Sequence, residues 1–315
     1  MKIIDASGDI VDTDNLSRKD LMEIAGRICY HSEDKINPES ADSFIGGVFK
    51  KKHHSVSEFA VYTILIPNGY NSAGFFHHKY FNHKYLTIDF TSDGIYITGT
   101  VRAFREEYQR CNDNYLLNSM VYCLKKKNPL FFEDLDIPEY TNLVEHAEFK
   151  ILTVAEVDAL PVALLKRHRW VLVKYIVNRA ISHELVRHRP CSWLQESQRY
   201  CRYSDDKFGN DVTFISPDKS FPALRNDANY GKWFDAMKEA ERVYLELLDG
   251  GASPQAARTV LPNSCKTELF QWCNLEEYDT FFGLRTTPMA EPSMREVTIP
   301  LFQKFKDKFP TVFGY

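Results

Sequence analysis

Leu21, Ile24, Ala25 and Ile28 recur at i, i+3, i+4 and i+7, the apolar stripe of one helix face. The stripe predicts a helix over residues 21–30, and a second amphipathic stretch predicts another over 43–50. Beyond Lys51-Lys52-His53-His54-Ser55-Val56-Ser57-Glu58, the apolar run 59–66 reads as a strand. Pro67-Asn68-Gly69 ends it, since proline and glycine punctuate regular structure. Residues 68 to about 170 read as an elaboration. Within it, 86–90 and 95–98 flank Ser92-Asp93-Gly94, a hairpin signal. Helical patterns follow near 101–110 and 114–126, and the acidic, proline-containing stretch 131–146 reads as surface loop.

Residues 170–177, rich in valine and aromatics, read as a buried strand. Asn178 can cap a helix from 179 to about 188, and Pro190 stops it. On that helix Ala180, Glu184 and Arg187 share one face, and Ile181, Leu185 and His188 another. A long amphipathic helix is predicted over 229–248, capped by Asn229 and stopped by Gly250-Gly251. Ser253-Pro254 starts another, and residues 265–284 read as an aromatic-rich helix. Strands and helices without regular βαβ alternation predict an α+β fold.

Composition narrows the function. The 315 residues are 44% hydrophobic and 26% charged, values of a globular protein, and the length suits one elaborated domain. Twenty-two Phe and 17 Tyr exclude disorder. No apolar run approaches the roughly 18 residues of a membrane span, and the first residues lack the apolar core of a signal peptide. A net charge of -4, from 39 basic and 43 acidic residues, argues against a general nucleic-acid binder. An anionic ligand must therefore meet a local arginine cluster. Seven cysteines, Cys29, Cys111, Cys123, Cys191, Cys201, Cys265 and Cys273, form no CxxC, which predicts reduced thiols in a cytoplasmic protein.

The densest polar stretch runs from Arg187 to Arg202, with Arg187, Arg189, Arg199 and Arg202 interleaved with Ser192, Ser197, Gln195 and Gln198. Guanidinium forks and serine hydroxyls suit a phosphate beside a polar ring. Composition alone leaves a solvated basic loop equally open.

Arg187-His188-Arg189, seven residues, Ser197, one residue, Arg199 resembles the signature of the flavin-dependent thymidylate synthases, the ThyX family. Arg167-His168-Arg169 is a decoy with no serine or arginine in register. His53-His54-Ser55-Val56-Ser57-Glu58 resembles the family's HxSxxEH segment, with Phe59 where its closing histidine is usual. Residues 179–186 resemble the helix leading into the signature, Ala257 to Pro262 its ARxxLP, and residues 274–285 its C-terminal helix. The matching blocks span 21–66 and 171–300 in family order.

The resemblance implies a single ThyX-like catalytic domain over 1–315: a mixed sheet with flanking helices and a large insertion, at about 68–170, after the first core strand. It implies a homotetramer with shared sites, and FAD held without a GxGxxG fingerprint, which this chain lacks. NADPH would serve as reductant and methylenetetrahydrofolate as carbon donor to C5 of dUMP, with the difficult chemistry carried by the flavin. Arg285 matches the arginine that polarises the pyrimidine and is the implied catalytic residue. Glu184, Arg187, Gln195, Glu196, Ser197, Gln198, Arg199, Arg258 and Arg285 match nucleotide-contacting positions. His53, Ser55, Arg187, His188, Arg189, Gln195, Asn274, Glu276 and Thr280 match flavin-side positions. Glu276 departs from the family's arginine, and Thr280 from its usual histidine or asparagine.

Plainer readings stand beside these. Cys191 reads as a packing thiol, and Tyr200 and Tyr203 as packing aromatics. His183 and His188, at i and i+5, point about 140° apart on a helix and do not suit one metal. His77, His78 and His83 read as an aromatic surface loop, and Glu276 as charge balance for a neighbouring arginine. Two other functions remain open. One is a relative that methylates or hydroxymethylates another pyrimidine nucleotide such as dCMP. The other is a catalytically silent relative that binds nucleotide or nucleic acid.

Overall fold

Among the described residues, ten strands assemble into separate sheets with helices packed around them in a computed structural model. It describes residues 1–67, 83–111, 114–138, 149–204 and 209–315. Among these the chain mixes helix and sheet, as an α+β fold requires. His77 and His78, and the part of the expected surface loop beyond residue 138, lie outside the described residues.

β1 (Lys2–Ile4) and β2 (Ser7–Ile10) open the chain. A capping box, Ser17 with Asp20, starts α1 (Arg18–Arg27) and is followed by α2 (Ser40–Lys50). β3 (Val61–Pro67) leads to the hairpin β4 (Leu86–Phe90) and β5 (Gly94–Thr100). Gly94 has φ 152°, and a Cβ there would collide with the Ile66 carbonyl, so only glycine fits this turn. Thr100 caps α3 (Val101–Arg110), and Asn114 caps α4 (Tyr115–Lys127). Of the expected surface loop, Phe131, Phe132, Leu135 and Ile137 are buried instead. Arg105 draws the segment inward by holding Asp134 with two bonds of 2.8 and 2.7 Å.

β6 (Lys150–Leu152) precedes β7 (Trp170–Asn178), whose last residue caps α5 (Arg179–Leu185). The helix ends three residues short of the predicted His188. Arg187 and His188 donate to the Glu184 and Leu185 carbonyls in a tighter turn, just before Pro190. β8 (Ser192–Gln195) and β9 (Thr213–Ile215) follow. Asn226, not Asn229, caps α6 (Asp227–Asp249), because its side chain reaches the Asn229 amide.

The main correction falls on 265–284, expected as one helix. Lys266–Asn274 is strand β10, and only α7 (Leu275–Arg285) is helical. β10 lies between β7 and β8 in a sheet ordered β2-β7-β10-β8, so both its edges are paired. Its run is nearly all buried, and the alternation that marks a half-buried strand is lost. Asn274 ends the strand and caps α7, accepting from the Glu277 amide. α8 (Pro292–Lys308), which the sequence pattern did not mark, packs against α7 through Tyr278, Phe282 and Phe305.

The second sheet is ordered β4-β5-β3-β6. The strand predicted at 59–66 is therefore not joined to the β7–β10 sheet. Among the described residues, both of its strand neighbours come from the elaboration. One cluster of buried apolar side chains nevertheless runs through both sheets, from Leu21 through Ile64 and Leu172 to Phe313.

Candidate active site

The turn after α5 presents Arg187 and Arg189 to solvent and buries His188 between them. His188 lies against the Phe281 ring at 5.5 Å, with Nε2 3.5 Å from a Glu277 carboxylate oxygen. Burial alone would lower its pKa. Interactions with Cys191 and Glu277 outweigh that and raise it to about 9. The Glu277 carboxylate thus favours the protonated form of His188 and sets the turn against α7. His183 is exposed, so the two histidines share no site.

The segment after β8 divides between structural and outward-facing groups. Gln195 donates to Ser182 Oγ at 2.9 Å and to Thr267 Oγ1 at 3.1 Å. Glu196 is 1% exposed, accepts from Tyr203 at 2.7 Å and pairs with Lys266 at 3.2 Å. Gln198 is also buried, its amide turned to Cys265. These three hold the segment in place. Ser197 is half-buried and Arg199 exposed, with its guanidinium 5.6 Å from the Tyr200 ring centre. Tyr200 packs on Tyr30 at 5.2 Å, and the Tyr30 hydroxyl lies 3.4 Å from His53 Nδ1. The Ser197 amide donates to the Cys29 carbonyl. The block around His53 and the signature, far apart in sequence, thus meet in space through Tyr30 and Cys29. Ser55 is exposed, whereas Phe59 sits in the core at 1% exposure, where a histidine would lose its water.

Two clefts flank this junction. One, of about 330 Å³, is lined by Arg258, Gln198, Arg179, His183 and Asn263. The other, of about 400 Å³, is lined by Tyr30, Lys35, Lys51, His53 and Arg27. Arg179 and His183 had no assigned role from sequence. Their i, i+4 spacing on α5 places them on one face, a signal that points to a shared cleft once the helix is accepted.

α7 carries the remaining candidates. Arg285 donates to the Glu184 carbonyl at 3.3 Å and lies 3.8 Å from that residue's carboxylate. Its buried Nε has no hydrogen-bond partner among the described residues. Asn274 spends its side chain on the α7 cap and on a 3.1 Å bond to the Arg167 carbonyl. Glu276 is exposed and pairs with Arg167 at 3.3 Å, and Thr280 is exposed on the same helix. Arg167 also pairs with Asp89 at 2.7 Å, and Arg169 with Asp14 and Asp158. The decoy arginines are therefore neutralised within the fold.

Arg187, Arg189, Arg199 and Arg258 differ from these. Among the described residues, none of the four lies against a carboxylate. Unbalanced guanidinium donors on a chain of net negative charge suit phosphate oxygens, which both a nucleotide and FAD carry. The donor set fits such ligands.

Residues 171–311 match the family model described as thymidylate synthase complementing protein. The chain is similar to the flavin-dependent thymidylate synthase of Pyrococcus furiosus, 34% identical over 128 residues, 40% of this chain and 50% of that protein. It is similar to that of Geobacter sulfurreducens, 32% identical over 139 residues, 44% of this chain and 56% of that protein. The Saccharolobus solfataricus protein of the same name is 30% identical over 139 residues, 44% of this chain and 50% of its own length. The chain thus spans about half the length of the curated relatives it matches. The match covers β7, the arginine turn, β10 and the two C-terminal helices.

Proposed function

We propose that this chain, whose residues 171–311 match the family model described as thymidylate synthase complementing protein, is a flavin-dependent thymidylate synthase built as one elaborated domain. In this reading it transfers a one-carbon unit from methylenetetrahydrofolate to C5 of dUMP, with NADPH as reductant. The observation that carries the reading is the set of arginines without carboxylate partners among the described residues: Arg187 and Arg189 on the turn after α5, Arg199 two residues after Ser197, and Arg258 on the cleft with Gln198.

In this reading Ser197, Arg199 and Arg258 take the nucleotide phosphate by charge-assisted hydrogen bonds. Arg187 and Arg189 hold the FAD phosphates, while His188 fixes their turn from below. FAD, when bound, supplies the electron and carbon-transfer chemistry. Arg285 polarises the pyrimidine, stabilising the negative charge that develops as C5 becomes nucleophilic. His53 lies beside the flavin, its position set by Tyr30, on which Tyr200 packs. Gln195, Glu196, Gln198 and Asn274 keep these groups in position.

The sites are proposed to be shared in a homotetramer. Two features favour association near the site. Leu284, next to Arg285 in the chain, is 58% exposed, and Met289, four residues after it, is 93% exposed. Light scattering of the purified protein reads the assembly directly. The decisive test of function is product mass from dUMP and from dCMP, with the flavin absorption band recorded alongside. The expected result is a yellow protein that makes dTMP. A colourless protein that binds dUMP without turnover, or a methylated product from dCMP alone, overturns the proposal.

A further inference from the structure

Cys191 and Cys273 take no part in the function proposed above, yet the fold places them together. The β8–β10 register pairs Ser192 with Trp272, and one further antiparallel step sets Cys191 opposite Cys273. Their Sγ atoms are 2.8 Å apart, and both residues are buried at 2% and 0% exposure. Directly opposed residues on antiparallel strands hold their Cβ atoms about 4.5–5.5 Å apart, close to the roughly 3.5–4.5 Å that a disulfide spans. Small adjustments of the side chains are enough to join them.

The surroundings are polar and directional. Gln271 Nε2 lies 3.1 Å from Cys191 Sγ and 3.7 Å from Cys273 Sγ. The Tyr175 hydroxyl donates to Gln271 Oε1 at 2.6 Å, which turns the amide N–H groups toward the sulfurs. The two thiols are unequal. Burial disfavours the Cys191 thiolate, but hydrogen bonds from Cys273, His188 and Gln271, with the His188 charge, more than offset it and lower its pKa. Burial and the neighbouring Cys191 push Cys273 well above the usual thiol range. One sulfur is equipped to attack and the other to resolve. Cys191 directly follows the exposed Arg189 and Pro190 in the chain.

We propose that Cys191 and Cys273 are a redox-active pair that closes to a disulfide when the protein meets hydrogen peroxide. The Cys191 thiolate attacks one peroxide oxygen and the O–O bond breaks. The departing hydroxide takes a proton and leaves as water, and Cys191 becomes a sulfenic acid. Cys273 sulfur then attacks Cys191 sulfur, the S–O bond breaks, and the second water leaves with the Cys273 proton. Two electrons pass from the two thiols to the peroxide. The bridge ties the arginine turn to the residue before Asn274, so it links the signature to the base of α7.

The test is peptide mapping of the purified full-length protein after graded peroxide, with alkylation before digestion. The expected product is a peptide pair joining Cys191 to Cys273, lighter by two hydrogens and released by dithiothreitol. Alkylation of both cysteines should fall by about tenfold or more. Cys191→Ser and Cys273→Ser should each abolish the linked pair without changing far-ultraviolet circular dichroism. The proposal fails if both cysteines remain fully alkylable, or if they are recovered as separate sulfinic acids. It fails equally if either joins a different cysteine. Should a variant not fold, the wild-type map decides alone.

Discussion

Arg199 and Glu196 stand three residues apart in the signature and meet opposite fates. Glu196 is spent inside the protein on Tyr203 and Lys266, while Arg199 is exposed with no carboxylate partner among the described residues. Arg199→Ala should therefore weaken dUMP binding by roughly 1.5–3 kcal/mol, the range of a charge-assisted hydrogen bond, with no change in thermal midpoint. Titration calorimetry reads the affinity, and an unchanged value in a folded variant removes Arg199 from the site. Arg285→Ala should slow nucleotide-dependent oxidation of the reduced enzyme by about 10²–10³ while leaving reduction by NADPH nearly intact. Stopped-flow measurement of the two half-reactions distinguishes this from a structural role, which would slow both. For Glu276, charge balance is the plainer account, because Arg167 already faces it across 3.3 Å. Glu276→Arg sets two cations together at an exposed position. It should cost no more than about 1 kcal/mol in stability and leave the ratio of dUMP to dCMP turnover unchanged. A shift of turnover toward dUMP in the variant would instead make Glu276 a specificity residue.

At the scale of elements, local chemistry was readable where it was self-contained. Asn178 as the α5 cap, Ser253-Pro254 as a helix start and the Leu86–Thr100 hairpin all follow from neighbours in sequence. β10 did not, because its strand character depends on β7 and β8 pairing with it along either edge. The hairpin offers the sharpest test of a local reading. Gly94→Ala forces a side chain into a backbone conformation with φ 152° and against the Ile66 carbonyl. We expect a loss of at least about 1–3 kcal/mol in denaturant unfolding, whereas substitution at exposed Asp93 should cost far less. Equal effects at the two positions would mean that the turn relaxes.

Across the whole molecule, the arginine signature and the order of its blocks were legible, since they are runs of residue types. What they rest on was not. The contact of His53 with Tyr30, and of Tyr30 with Tyr200, joins segments separated by long stretches of chain. The global charge arrangement predicts acid sensitivity in two stages. Burial holds the His168 pKa down to about 4, so folding favours its neutral form. That contribution is present above the unfolded value near 6.5 and is lost as pH falls toward 4. Burial opposes ionisation of Glu268 too, but Lys266 and Lys174 outweigh it and bring its pKa to about 2. Its contribution is present above the unfolded 4.5 and fades as pH falls through 2; it is on the order of 3 kcal/mol. Glu268→Gln should be less stable than wild type at pH 6 and should lose less stability between pH 4.5 and 2. Urea unfolding across that range gives the comparison, and parallel curves would remove Glu268 from the account.

The pairing of β3 with β5 on one side and β6 on the other changes what the middle third of the chain is for. A shortened protein that rejoined residue 67 to residue 170 would leave Val61–Pro67 with two bare rows of amide and carbonyl groups. Such a ribbon, with Tyr62, Ile64 and Ile66 on its apolar face, is a template for strands of other molecules. The chain cannot be pared to its family-like blocks by excising this stretch. What looks like an ornament in the sequence is the seal that keeps neighbouring molecules from zipping onto it.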